Sequence, residues 1–318
     1  MSEIQTMAAG WKLALSVSET PDLEVLGLFE DDDKRFLSAI LTPLVYRGAH
    51  IAYGGRIEPA SATNFTQEIS TQLAEAYRQI SSEPESRPYI HYLRDNDARN
   101  EGIEKLLAHA LRLGSYSEIK LLRGETTAAT LLPSGSIVDV YVNGVSAGAM
   151  SKPEELMEVP QIAEIFSKPT GNDELADMRA AMAKETHARI ILGGRVTKVS
   201  KGISGIAAEA LATLANAKPL LVVGGIGGAS RDVAGALGLV DEAELVERDD
   251  SVYRDNHDQP SKDLYWAHMG KLRGFAADYQ SMLEKKALLD DAKQLAISES
   301  HAEIGTLVVT MLSKLLGP

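Results

Sequence analysis

The stretch ARIILGGRVTKVSKGISGIAAEALATL, Ala188–Leu214, decides how the chain is read. Apolar, partly β-branched residues run up to Gly193-Gly194 and stop, as a buried strand does at its end. A loop follows, then a helix that begins with a glycine and brings the carboxylate of Glu209 onto its first full turn. Working outward, the same alternation recurs. Strands are expected at Trp11–Val17, Ala49–Gly55, Arg87–Leu93, Ser117–Arg123, Ala188–Leu192 and Lys218–Val223. Helical patterns fall near Asp33–Arg47 and at Thr63–Ile80, Gly102–Leu113, Asp173–Glu185, Ser204–Ala217 and Gly228–Leu237. Continuously apolar strands alternating with helices indicate a parallel sheet covered on both faces. The expected fold class is therefore α/β, a doubly wound, Rossmann-like parallel sheet with helices on both faces and a helical C-terminal extension.

Two regions depart from the alternation. Gly124–Pro169 is less regular and receives no assignment. From Ser261 onward the pattern is helical, with a long helix over Asp263–Leu289 and an apolar-striped helix over His301–Leu316. The stripe (Ile304, Leu307, Val308, Met311, Leu315) would either finish the core or form a dimer face. The expected organisation is a nucleotide-binding domain over 1–245 and a helical extension over 246–318 packed on the same core. Val246–Pro260 is the candidate linker or surface loop between them.

Composition narrows the function classes. The 318 residues are 44% hydrophobic and 24% charged, enough apolar content for a sizeable core. A formal net charge of −13 opposes broad capture of nucleic acid, although a local basic pocket for a small anion is compatible with it. The absence of cysteine excludes disulfides, thiolate metal sites and cysteine nucleophiles. The N-terminus lacks the basic and apolar regions of a signal peptide, and no apolar run approaches a membrane span. A soluble cytoplasmic protein is expected. Asp249, Asp250, Asp255 and Asp258 lack the spacing and central glycine of a calcium loop, so they read as a solvated acidic loop and no metal is expected. The acidic run Glu30–Asp33 suits a helix N-terminus.

Three expected strands end on glycine pairs: Gly54-Gly55, Gly193-Gly194, and the run VGGIGG with Gly224, Gly225, Gly227 and Gly228. Parallel strands place these endings along one edge, where open α/β sheets bind ligands. Bare backbone allows close approach, and the helices that follow aim their free amides, about half a positive charge in effect, at the same crevice. Arg56 and Arg195 follow two of the pairs directly, and Arg231 falls on the first turn after the third. Guanidinium groups match phosphate oxygens. The first strand ends in Ser16, Ser18 and Glu19, whose hydroxyls and amides could receive phosphate or ribose, or cap a helix. His91 reads as a satisfied core histidine and His187 as a strand start, while Tyr265 and Trp266 read as packing residues. GIGGAS (Gly225–Ser230) has Ser230 in the third glycine position of a dinucleotide fingerprint and follows the last strong strand, which argues against a nicotinamide dehydrogenase. No Walker loop is present.

The segment DMRAAMAKETHARIILGG, with Arg179 and Met182, followed by GIAAE, with Gly205 and Glu209, resembles the Lonely Guy (LOG) nucleotide phosphoribohydrolases. Those proteins carry MHxRKxxM on a helix, then a strand, then PGGxGTxxE. The broader SMF/DprA–LOG (SLOG) superfamily is similar over most of Leu13–Leu237, through the serine-rich first strand end, the YGG second strand end and KPLLVVGGIGGASRDVAGAL. Gly124–Pro169 and the tail lie outside that resemblance. The sequence departs from it in four places: Ile206 stands for the motif's threonine, Leu192 for its proline, Met178 adjoins Arg179 without the expected His-x, and Arg195–Ser204 is inserted.

The resemblance implies a nucleotide-type small-molecule ligand and a homodimer or higher homo-oligomer, with no cofactor. It also implies that Arg179 and Glu209 form the functional pair for breaking a bond between ribose and base, the carboxylate stabilising positive charge or activating water. The bland alternative is a buried Arg179–Glu209 ion pair bracing two helices. Losing the threonine hydroxyl and gaining an insertion weigh toward a nucleotide-signal sensor over an N-glycosidase. On that reading Ser16, Ser18, Glu19, Gly54, Gly55, Arg56, Gly193, Gly194, Arg195, Gly205, Gly224, Gly225, Gly227, Gly228 and Arg231 would surround the ligand.

Overall fold

A computed structural model describes residues 10–29, 32–57, 65–80, 87–168, 174–196, 204–253 and 262–317. The helix starts expected at Thr63 and Asp173, residues 197–203 of the insertion, and the part of the linker with Asp255 and Asp258 lie outside those residues.

Among the described residues the strands form one nine-stranded sheet in the order β7-β6-β5-β4-β3-β2-β1-β8-β9. Its parallel part comprises β1 (Lys12–Ser18), β2 (His50–Gly54), β3 (Tyr89–Arg94), β4 (Ser117–Arg123), β8 (Ala188–Gly193) and β9 (Leu220–Val223). The six expected strands all appear. The chain moves outward from β1 to β4, then returns to the other side of β1 for β8 and β9. That reversal puts the switch point between β1 and β8, beside the Gly193-Gly194 turn.

The stretch left unassigned, 124–169, is where the sheet departs from all-parallel. β5 (Thr126–Ser134), β6 (Ile137–Val142) and β7 (Val145–Met150) run antiparallel to their neighbours as a meander. Asn143 and Gly144, at φ 51° and 76°, close the second hairpin, as a two-residue Asn-Gly turn should. Two short helices follow, α5 (Pro153–Met157) and α6 (Pro160–Ser167).

Strand alternation sorts side chains to two faces. Leu13, Leu15 and Val17 of β1 join the large core, with Phe36, Leu37, Ile40 and Leu44 of α1 (Asp32–Tyr46) and Ile69 and Leu73 of α2 (Phe65–Ile80). Helix α3 (Asp95–Glu101) and α4 (Ile103–Leu113) follow β3, and α4 adds Leu106, Leu107 and Ala110 to that core. On the other face Ala14, Ala52, Ile90, Tyr92 and Leu122 pack against Met178, Ala181 and Met182 of α7 (Glu174–Glu185). The alanines at 14 and 52 are register partners on β1 and β2. They leave that face shallow near the switch point, which matters for the site. Helices α8 (Gly205–Ala215) and α9 (Gly228–Ala236) follow β8 and β9.

The tail is more broken than its periodicity suggests. The helix expected over Asp263–Leu289 is two, α10 (Lys262–Arg273) and α11 (Ala276–Lys285), separated at Gly274-Phe275. A third, α12 (Leu289–Ile297), precedes α13 (His301–Leu316). Tyr265, Met269, Leu283, Leu295, Ile304, Val308 and Met311 all enter the same core cluster as the sheet. The last-helix stripe therefore completes the core, with Leu307 and Leu315 packed at its margin. Tyr279 donates to the Leu220 carbonyl at 2.6 Å, which helps close the β9 edge. The Val246–Pro260 segment is not simply a solvated linker either: the Arg248 side chain is 2% exposed. No helix among the described residues is long and apolar enough to cross a membrane.

Candidate functional site

The glycine pairs do lie along the carboxyl edge, but the structure separates them into turns packed on the chain itself and turns that open onto space. Gly193 and Gly194 have φ of 63° and 107°, a backbone region that strains any residue with a Cβ. A Cβ on Gly193 would sit 2.6 Å from the Ser18 carbonyl, and one on Gly194 2.5 Å from Ile206. These glycines let β1, β8 and α8 close on one another. The third run is sealed further. Gly224 through Gly228 are buried, and a Cβ on Gly224 or Gly225 would run into the carbonyls of Ala296 and Ser298 at the end of α12.

The start of α9 already holds an anion, and it is the protein's own. The Gly228 amide donates to Asp22 Oδ2 at 2.6 Å, the interaction a phosphate would make at a helix N-terminus. Arg248 pairs with Asp22 at 2.6 Å and with Asp232 at 2.7 Å, every side chain 2% exposed or less. Tyr265 donates to Asp232 as well. Burial raises the Asp232 carboxyl above its ordinary range, opposed by Arg248. Arg231, expected to face a ligand, donates instead to the carbonyls of Glu244 and Ala296. Gly224, Gly225, Gly227, Gly228 and Arg231 thus sit at the expected edge with chain, not open space, against them.

Open space remains between β1, β2 and α8. A cavity of about 80 Å³ is lined by Leu15, Ser16, Val17, Ser18, Tyr53, Gly54, Gly205, Ile206 and Glu209. Ser204 occupies the N-cap of α8, yet its hydroxyl donates to the Arg195 carbonyl at 3.0 Å and does not cap the first turn. Gly205 is exposed there, and a Cβ on it would lie 3.4 Å from Arg179 Nη2. Gly54 is tighter: its Cβ would meet the Met178 side chain at 2.7 Å.

Beneath the cavity lies a residue that reading the sequence passed over. Arg189 of β8, 1% exposed, stands opposite Ala14 in the sheet, and the small neighbour leaves room for a guanidinium on that face. Its Nη1 donates to Ser16 Oγ at 2.6 Å and to Glu209 Oε2 at 3.0 Å, and its Nε to Thr213 Oγ1 at 2.8 Å. Thr213 lies one turn beyond Glu209 on α8 and donates to the Glu209 carbonyl. Arg179 of α7 approaches the other carboxylate oxygen, Nε to Oε1, at 3.6 Å. Arg179 and Glu209 are therefore brought together as expected, with a second arginine behind them. Burial lowers the Arg189 pKa, and Glu209 opposes that shift. Burial and the Glu209 charge both raise the Tyr53 phenol.

The remaining expected residues stand nearby in varied states. Ser18 accepts from the Arg195 amide at 3.3 Å. The Arg195 guanidinium is ion-paired with Glu19, so these two satisfy each other. Arg56 is more than half exposed, 3.7 Å from Asp97. Gly55 offers its carbonyl to His91 at 2.9 Å.

No curated protein and no solved structure matches the chain. The family model described as SLOG cluster2 matches residues 7–296, which takes in both 124–169 and the tail as far as Ala296. That family suggests a nucleotide-related function, in keeping with an α/β sheet whose switch-point edge holds a cavity lined in part by Ser16, Ser18 and Glu209. The chain belongs to the SLOG cluster2 family.

Proposed function

We propose that the chain binds a nucleotide or an NAD- or ADP-ribose-derived ligand at the carboxyl edge of its sheet and acts as a nucleotide-signal sensor. The observation that carries this reading is that Ser16 and Glu209 line the cavity and are held by the guanidinium groups of Arg189 and Arg179 behind them. Ser16 accepts from Arg189, so its own hydroxyl proton is available to a ligand. Each Glu209 oxygen faces a guanidinium and keeps lone pairs for a ribose hydroxyl. The first turn of α8, which Ser204 does not cap, suits a phosphate. The cavity holds a ribose or phosphate group and no more, since whole drug-sized ligands occupy roughly 300–1,000 Å³. The base then lies outside the cavity.

A second reading, an N-glycosidase, draws on the 3.6 Å approach of Arg179 to Glu209. Glu209 is braced from two sides, which favours a fixed hydrogen-bond acceptor over a group that must hand a proton to and fro. Calorimetry with ADP-ribose, NAD, AMP and N6-substituted AMP, paired with chromatography for free base, tests both. Binding without release of base is expected. Glu209→Gln should weaken it by about tenfold to a hundredfold, the worth of a hydrogen bond to a charged group. Release of base or ribose 5-phosphate that disappears in Glu209→Gln replaces the sensor with the hydrolase.

A further inference from the structure

The turn after β2 is anchored from the opposite face of the sheet, by groups the ligand reading does not use. His91 of β3 is fully buried, and its Nε2 lies 2.9 Å from the Gly55 carbonyl. Its Nδ1 lies 2.9 Å from Nε2 of His109, which is 2% exposed on α4. His109 Nδ1 in turn lies 2.9 Å from Arg112 Nη2 at the surface. A guanidinium only donates, so His109 Nδ1 must accept. His109 Nε2 then carries the proton and donates to His91 Nδ1, leaving His91 Nε2–H for the Gly55 carbonyl. One direction satisfies all three bonds, and it requires both imidazoles neutral.

We propose that Arg112, His109 and His91 form a one-way hydrogen-bond relay that fixes the Gly54–Arg56 turn, and that a proton taken up by either imidazole breaks a link of the relay behind His91 while its Nε2–H stays on the Gly55 carbonyl. A second proton on His91 would set Nδ1–H against the Nε2–H of His109, and a second proton on His109 would face Arg112. The adjoining carbonyl, that of Arg56, is held independently by Thr66 at 2.8 Å, so the relay governs the Gly55 end. The charged groups bearing on His91 are Asp97 from α3 and Arg112 from α4, and the Tyr89 ring stacks on it at 5.9 Å. His109 faces His91 and Arg112. Burial, first among the causes, pushes His91 down to about 4 and His109 down to about 2. The relay therefore stays intact at neutral pH and breaks behind His91 in acid, where a protonated His91 holds the Gly55 carbonyl by a charge-assisted bond.

The relay is tested without ligand. Imidazole 15N shifts of the labelled full chain should show both histidines neutral and protonated on Nε2 at neutral pH. The Gly55 carbonyl 13C shift should change only when His91 titrates. Arg112→Met removes the donor and the nearest cation, so both imidazoles should titrate at higher pH, with the Gly55 carbonyl following the same midpoint. Arg112→Lys, which keeps a donor and a charge, should behave as the unaltered chain. A proton on His109 Nδ1, an imidazolium at neutral pH, or a Gly55 carbonyl indifferent to His91 overturns the relay.

Discussion

At the scale of single residues, Arg189 is the organising feature of the cavity. A guanidinium inside a strand buried on both faces is tolerated only with partners, and Arg189 finds Ser16, Glu209 and Thr213. Arg189→Met keeps most of the volume and leaves Glu209 without its shorter ion pair. A loss of about 3–5 kcal/mol is expected, the usual cost of removing one partner of a buried pair, read from the urea midpoint at unchanged slope. Adding Glu209→Leu should recover part of that loss, because no uncompensated charge is then left. The residue was visible in ARIILGG as a charge inside an apolar run, but its partners come from β1 and α8, distant in sequence. Arg179 and Glu209 could be picked out through the motif they share with a known family.

At the scale of elements, the three glycine-rich turns look alike in sequence and serve different ends. Gly193-Gly194 brings strands and a helix into close contact, Gly224–Gly228 receives the tail and Asp22, and among the described residues Gly54 and Gly205 are the glycines that border the cavity. What distinguishes them is the chain that comes back to cover them, and pattern within a turn holds no record of that. The Asp22–Arg248–Asp232 cluster ties the loop after β1, the start of α9 and the segment before α10 into one body. Asp22→Ala should cost about 3–5 kcal/mol by leaving Arg248 half-paired and the α9 amides open. Amide exchange in α10 and α12 should accelerate with it. Gly225→Ala, which pushes against the Ser298 carbonyl, should cost about 1–3 kcal/mol as an overpacking defect, measured by thermal denaturation. The meander after β4 carried a readable sign in Asn143-Gly144. Its strands are partly exposed and mix small polar with apolar residues, which weakens their alternation.

At the scale of the whole molecule, two features set its response to conditions. His91 and His109 are neutral when folded, with pKa values below the unfolded value of 6.5. Below that value the unfolded chain binds more protons than the native one, so stability rises with pH. The contribution is complete above about 6.5 and is lost as pH falls, by up to roughly 1.4 kcal/mol per pH unit for each histidine. His91 stops adding to the slope near 4. Denaturant midpoints measured from neutral pH into acid should fall accordingly, and more shallowly in His109→Leu. The second feature is the shared core: tail residues from Tyr265 to Met311 pack in the same cluster as the strands. Trp11 lies beside β1 and Trp266 on α10, so the fluorescence of each, isolated by Trp→Phe at the other, should report coincident unfolding transitions. Separate midpoints would mean that the tail folds as its own unit.

The sequence by itself determined the parallel α/β core, because buried strands and amphipathic helices write their period directly into the chain. It also determined the family, and the pairing of Arg179 with Glu209, through short motifs in a given order. Only the tertiary structure decided which glycine turns face a cavity, which anion occupies the start of α9, and which residues stand behind Glu209. Those outcomes depend on contacts between segments as far apart as Asp22 and Arg248, and periodicity within a segment is silent about what packs on it from elsewhere.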